Sequence, residues 1–244
     1  MTEWLLGFPE RAQGRIQESI ALAEELDDPF SLAYALCFPG AMVAEMRGGD
    51  SGAVVERGLA VATEGGFSLW VAFAKVHRAS LRFEVERSGS TLDELHRSVV
   101  AIPEIGVLIN TPYYMTLLAR AYRQAGRIDE GLRILDDAQK SVEARGERWW
   151  EAEVLRLRGE LLLSGSAADG DEAEACFERA LAVSRNQEAK SLELRAATSL
   201  ARLWQSQAKA SEAHDLLKPI YDRFTEGFET PDLKDARALL EELS

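Results

Sequence analysis

Cysteine is nearly absent from this chain, with Cys37 and Cys176 alone among 244 residues. A disulfide framework or a Cys-ligated zinc site needs more, and these two lie far apart within apolar helical pattern. They read as two buried thiols in a reducing compartment. Histidine is also scarce: His77, His96 and His214 are the three, and no two have the spacing of a metal pair. No metal and no cofactor is expected. Positive charge is in deficit, 28 Lys and Arg against 41 Asp and Glu, a net charge of -13. A broad nucleic-acid face or adhesion to an anionic membrane needs clustered cations, so neither partner is expected. No apolar run approaches the roughly 18 to 20 residues of a membrane helix. The opening "MTEWLLGFPERA" has no basic segment before an apolar one, so no signal peptide is expected and the expected location is cytoplasmic.

Catalytic motifs are equally thin. Gly49-Asp50-Ser51-Gly52 matches the surroundings of the nucleophile in trypsin-like serine proteases. Yet all three histidines follow Ser51, where that order needs its base before it, and no run of alternating strands is present. The stretch reads as a turn: Gly48 and Gly49 end one helix, and Asp50 or Ser51 caps the next. "LSGSAADGDEAEA" at Leu163 to Ala175 is Gly-rich but lacks the Lys of a phosphate loop. It reads as a long turn, with Asp169 or Asp171 capping the helix that follows. His77 is expected on an exposed first-helix face and His96 at a packed second-helix position. The chain is therefore read as non-enzymatic.

What is present is a repeat. From Met115, apolar or small residues recur at Leu118, Ala119 and Tyr122; Gly126 breaks the run; then Gly131, Leu132, Leu135 and Ala138 follow. This is the i, i+3, i+4, i+7 pattern of two helices joined by a short turn. The first packed residue of each second helix is placed at Ala12, Ala53, Leu92, Gly131, Ala173 and Ala213, spaced by 41, 39, 39, 42 and 40 residues. A hairpin of this size cannot bury its apolar face alone, so neighbours must stack. The expected fold is all-α: a right-handed superhelical solenoid of antiparallel hairpins near 1-27, 28-66, 67-106, 110-146, 148-187 and 189-226. A C-terminal capping helix is expected over 230-243, opened by Thr230-Pro231-Asp232.

This spacing resembles the tetratricopeptide repeat (TPR), best over Met115 to Ala138, although that repeat is about 34 residues long. "GERWWEAEVLRLRGELLL", "AEACFERALAVSRNQEAKSLELRAATSLARLW" and "YDRFTEGFETPDLKDARALLEEL" resemble the end of bacterial multidomain proteins. In those, a class III adenylate/guanylate cyclase domain or a LuxR-type DNA-binding domain precedes an AAA-like ATPase and then such repeats. The resemblance implies a C-terminal segment of a signalling ATPase or cyclase, and "EWLLGFPERA" reads as the middle of a hairpin. The implied partner is a protein or peptide, or an ATPase/cyclase module of the same parent.

In tetratricopeptide stacks the first helices line a concave face. Carried over, this gives Tyr113, Thr116, Arg120 and Arg123, then Glu153, Arg156, Glu160 and Leu163, then Arg195, Thr198, Arg202 and Gln205. Of Trp149 and Trp150, one ring is expected in the core and the other at the groove; Trp150 is assigned to the groove. Five arginines on one face suit carboxylate or phosphate, so an anionic effector is the alternative reading. The bland reading is a lattice of ion pairs with nearby glutamates. Ala35, Phe38, Met42, His77 and Leu81 form a more apolar stretch suited to a helix or extended peptide.

Overall fold

Pro9, Pro29, Pro112 and Pro231 each stand in the first turn of a helix, where the missing N–H removes no hydrogen bond. The computed structural model describes residues 1–48, 51–104, 106, 109–165 and 170–244, and among these every regular element is helical. In chain order they are α1 (Thr2–Leu5), α2 (Pro9–Glu25), α3 (Pro29–Ala35), α4 (Ala41–Arg47), α5 (Ser51–Glu64), α6 (Ser68–Glu86), α7 (Gly89–Glu104), α8 (Thr111–Gln124), α9 (Ile128–Arg145), α10 (Glu151–Gly165), α11 (Gly170–Asn186), α12 (Lys190–Ser206), α13 (Ala210–Tyr221) and α14 (Pro231–Glu242). A π-helical turn, Leu36–Gly40, joins α3 to α4 and contains Pro39. An extra residue in the ladder is one way to accommodate a proline inside a helix.

The helices pair as consecutive hairpins: α1 with α2, α3–α4 with α5, then α6 with α7, α8 with α9, α10 with α11, and α12 with α13. Each second helix also contacts the next first helix, and α6, α8, α10 and α12 touch in sequence. Gly7, Gly48 and Gly126, aligned in the sequence at the turn within a hairpin, all take left-handed backbone, with φ of +88°, +68° and +73°. The caps expected at Asp50 and Asp169 lie outside the described residues; Asp171 sits inside the first turn of α11.

Burial corrects the repeat register at two hairpins. Buried residues recur in the second helices at steps of four, three and four: Gly131, Leu135, Ala138 and Val142 in α9; Ala173, Phe177, Ala180 and Ser184 in α11; Ala213, Leu217, Ile220 and Phe224 from α13 onward. The match in α5 is Ser51, Val55, Gly58 and Ala62, whereas Ala53 and Ala60 are exposed. In α7 the first member is Thr91, one residue before Leu92. A small polar residue heads each of these two sets, so an apolar pattern chose the residue one or two places on. The corrected markers Ala12, Ser51, Thr91, Gly131, Ala173 and Ala213 are spaced by 39, 40, 40, 42 and 40 residues.

By length and composition, Pro29–Arg47 is apolar enough to cross a membrane, which the sequence reading did not anticipate. More than half of that window is buried, with Ala33, Cys37, Met42 and Val43 in the main core cluster.

The two ends of the chain meet. Ser191 Oγ donates to the Trp4 carbonyl at 2.6 Å, and Trp4 shares a core cluster with Ala189 and Leu192. Glu226 Oε1 accepts from the backbone N–H groups of Glu10 and Arg11, at 2.9 and 3.1 Å. It thereby caps α2 from the far end of the sequence. A Cβ on Gly48 would lie 2.6 Å from Pro231 Cγ, so the turn after α4 abuts the start of α14.

Candidate functional site

The inner side of the first helices gathers most of the residues that the repeat register selects. It also brings in acids from α4, α6 and α14. Tyr113 is buried, and its phenol donates to Glu45 Oε2 at 2.8 Å. Arg120 donates to Glu45 Oε1 at 2.7 Å and to Glu84 Oε1 at 3.0 Å. Arg156 forms a two-bond fork with Glu153, both at 2.8 Å, and also contacts Glu160 and Ser199. Arg195 reaches Asp232 Oδ2 at 2.8 Å and Glu153 at 3.5 Å. Arg123 pairs with Glu160 at 3.1 Å, and Arg202 with Asp235.

Thr116 accepts from Trp150 Nε1 at 2.9 Å and donates to the Tyr113 carbonyl at 2.6 Å. Trp150 is thus a core ring, corrected from the groove assignment; Trp149, half-buried, stacks on Tyr113 at 6.2 Å. Thr198 is buried and donates to the Leu194 carbonyl at 2.8 Å. Gln205 stands apart at the rim, 3.2 Å from Glu242 of α14.

Around Arg120, Arg156 and Arg195 these groups enclose little space, whereas Arg123, Glu160, Leu163, Arg202 and Leu203 border a wider opening of about 490 Å³. Arg120, Glu153, Arg156, Arg195, Asp232 and Asp235 line part of one cavity of about 160 Å³. A second of about 160 Å³ lies between Glu45, Tyr113, Trp150 and Pro231. Small-molecule sites usually hold about 300 to 1,000 Å³. Five arginines meet six carboxylates: Glu45, Glu84, Glu153, Glu160, Asp232 and Asp235. An anion would have to compete with a carboxylate already paired to each of these arginines. The ion-pair lattice, not a free cationic face, is the arrangement here.

Electrostatics point the same way. Burial would raise the Glu45 carboxyl, but the Arg120 guanidinium and His77 outweigh it and hold the group well below the ordinary range. Burial also opposes ionisation of Glu153, and Arg156 and Arg195 outweigh it. Burial weakens the charge on Arg120 and Arg156, yet their acidic partners raise both above the ordinary value. None of these four groups is poised to exchange a proton near neutrality.

The apolar stretch does not form a groove. Ala35, Met42 and His77 are buried, and Phe38 and Leu81 are half-buried. His77, expected on an exposed face, is 2% exposed because Glu45 and two tyrosines enclose it. Its Nδ1 lies 3.6 Å from Glu45, and its ring centroid 5.8 and 5.7 Å from Tyr113 and Tyr114. His96, expected packed, is half-buried and bonded to the Tyr122 hydroxyl at 2.6 Å.

Ser51, His77 and Glu45 line one void together, an association the chain order concealed. The void measures about 10 Å³, room for one water at most. Ser51 and His77 are buried, and Glu45 is half-buried. Among the described residues, no group of three His, Cys, Asp or Glu could hold a metal ion.

Sequence reasoning missed Glu45, Glu84, Asp232 and Asp235. Only the last two carried a signal: they stand three apart on α14, while Leu233, Ala236, Leu239 and Leu240 are buried. Compared with known proteins, the chain matches no family model and no curated protein.

Proposed function

We propose that this chain is a non-catalytic interaction and regulatory module, a right-handed superhelical solenoid of TPR-like hairpins that contacts its partner through outer surfaces. The observation that carries this reading is the single buried register shared by successive second helices at intervals of 39 to 42 residues. Such a stack commits its small residues to packing and displays long, regular faces of helix. The arginines of the inner face are paired by the chain's own carboxylates, which favours the exterior as the partner side. The resemblance in Gly146 to Leu243 supports a cytoplasmic bacterial signalling ATPase or nucleotide cyclase as the parent or partner of the module.

The test is site-specific photo-crosslinking in cells. A crosslinking residue at the exposed positions Val85, Val100 and Tyr34 is expected to trap a defined protein, while one at the buried Thr198 traps none. Silence at every exposed position, or hydrolysis or cyclisation of ATP by the purified chain alone, overturns the reading.

A further inference from the structure

Three first helices bring their last turns to one opening. Arg123 stands in the last turn of α8, Leu163 and Ser164 in that of α10, and Leu203 and Ser206 in that of α12. With Phe177 of α11 they border the space of about 490 Å³. That is well above the 160 Å³ of either cavity in the ion-pair lattice, and it falls within the range of small-molecule sites. One part of the lining is apolar: Phe177 and Leu203 are buried and Leu163 is half-buried. A Cβ on Gly159 would lie 2.5 Å from Phe177 Cε1, so the ring is seated directly against α10. A ligand would meet a wall already ordered, which lowers the entropy lost on binding.

The arginines at this opening are less fully engaged than the one deeper in. Arg156 uses all three guanidinium nitrogens, Nε and one terminal nitrogen on Glu153 and the other on Glu160 and Ser199. Arg123 meets Glu160 through one terminal nitrogen, its Nε has no hydrogen-bond partner, and its side chain is 34% exposed. Arg202 meets Asp235 through one terminal nitrogen, in a pair exposed on both sides that water and salt weaken. A guanidinium carries five N–H donors, so each of these two has donors to spare. Glu160 does not match them: Oε1 accepts from Arg156 and Ser199, and Oε2 pairs with Arg123. The unmet capacity at the opening is therefore for an acceptor with negative charge. The carbonyl ends of α8, α10 and α12 are partly negative, but a charge-assisted bond to a guanidinium outweighs them.

We propose that this opening binds a small amphipathic carboxylate, its apolar body against Leu163, Phe177 and Leu203. The head is held by the spare terminal N–H groups of Arg123, and Arg202 adds a second cation to the lining. The head shares each arginine with its carboxylate rather than replacing that carboxylate, which the deeper, fully engaged Arg156 does not allow. The site lies apart from the exposed positions proposed for the protein partner, and neither reading depends on the other.

The experiment titrates the purified, isotope-labelled chain with octanoate, octanol and octylammonium, followed by amide NMR. Octanoate is expected to saturate, to shift the amides of Ser164, Leu203 and Ser206 but not those of Gly14 and Val85, and to bind about tenfold more tightly than octanol. Octylammonium should bind no better than octanol. Arg123→Met should weaken octanoate about tenfold and leave octanol unchanged, while Arg156 continues to hold Glu160. Ser164 is exposed, so Ser164→Trp fills the opening without disturbing the core and should abolish octanoate binding. Equal binding of octanol and octanoate, shifts that never saturate, or unaltered octanoate affinity in both variants each overturns the proposal. Crosslinking from Val85, Val100 and Tyr34 reads the partner surface separately, so failure of either reading leaves the other standing.

Discussion

The phenol of Tyr113 donates to the Glu45 carboxylate at 2.8 Å across 68 residues of chain, tying α8 to α4. Arg120 donates to the other oxygen of the same carboxylate, so Glu45 is the shared acceptor of the inner face. Removing one partner of a fully buried pair costs about 3 to 5 kcal/mol; here both partners are half-buried and the Arg120–Glu84 contact survives, so the loss is smaller. Glu45→Gln is expected to cost about 2 to 4 kcal/mol in urea unfolding. Tyr113→Phe, which deletes one hydrogen bond, should cost about 1 to 2 kcal/mol. A smaller loss for Glu45→Gln than for Tyr113→Phe would show that Glu45 is not the hub.

Stability should fall with acid for a stated reason. Glu45 and Glu153 are both held below the ordinary carboxylate value in the folded chain. A depressed group contributes stability above its unfolded value, about 4.3 for Glu, and loses it as pH falls toward the folded value. The unfolding free energy is therefore expected to drop steeply from about pH 5 to pH 3. Glu45→Gln with Glu153→Gln starts lower and has a shallower slope over the same range. An unchanged slope in the double variant would assign the acid sensitivity to other groups.

Two glycines separate packing from helix propensity. A Cβ at Gly58 would lie 2.8 Å from Cys37 Sγ and 3.0 Å from Leu36 Cβ, while one at Gly14 meets nothing within 4 Å. Replacing a helical Gly by Ala gains about 0.5 to 1 kcal/mol from the backbone. Gly14→Ala should be stabilising by that amount. Gly58→Ala should be destabilising on balance, because overpacking costs about 1 to 3 kcal/mol. Thermal unfolding of the two single variants decides the matter, and a stabilised Gly58→Ala would refute the corrected α5 register.

How much of this was readable depended on sequence distance. Gly131, Leu135 and Ala138 lie within one helix, so periodicity alone placed them correctly. Pro231 marked the start of α14 through its own backbone constraint. Ser51 and Thr91 were passed over because small polar residues carry no apolar signal, although packing admits them where helices approach closely. The arginines were found on their face, but their partners were not. Glu45 lies 75 residues from Arg120, and Asp232 lies 37 from Arg195. Periodicity says which side of a helix faces inward; it does not say that inward-facing charges are already matched. The closure of the chain by Glu226 on α2 spans 215 and 216 residues and leaves no local trace.

That closure predicts a separable effect. Glu226 supplies the side-chain cap of α2, whose own Phe8 cannot cap. Glu226→Ala should cost about 1 kcal/mol, as loss of a cap usually does. Hydrogen exchange should quicken at the amides of Glu10 and Arg11 before it changes in α9. Uniform acceleration in both helices would mean that the meeting of the ends is part of one global unfolding unit.

The two thiols should differ in reactivity. Burial pushes the Cys37 thiol up to about 12. At pH 8 its thiolate is then about one part in ten thousand, against roughly a quarter for a free cysteine. Burial also raises the Cys176 thiol, with Glu172 adding to it and Arg158 and Arg179 only partly opposing it, but Cys176 borders an outer groove between α9 and α11 of about 500 Å³. A thiol-disulfide reagent at pH 8 is therefore expected to label Cys176 slowly and Cys37 only upon unfolding. In Cys176→Ser the native chain should stay silent until guanidinium chloride is added, and then release one equivalent. Prompt labelling of native Cys176→Ser would mean that the π-helical turn carrying Cys37 opens without global unfolding.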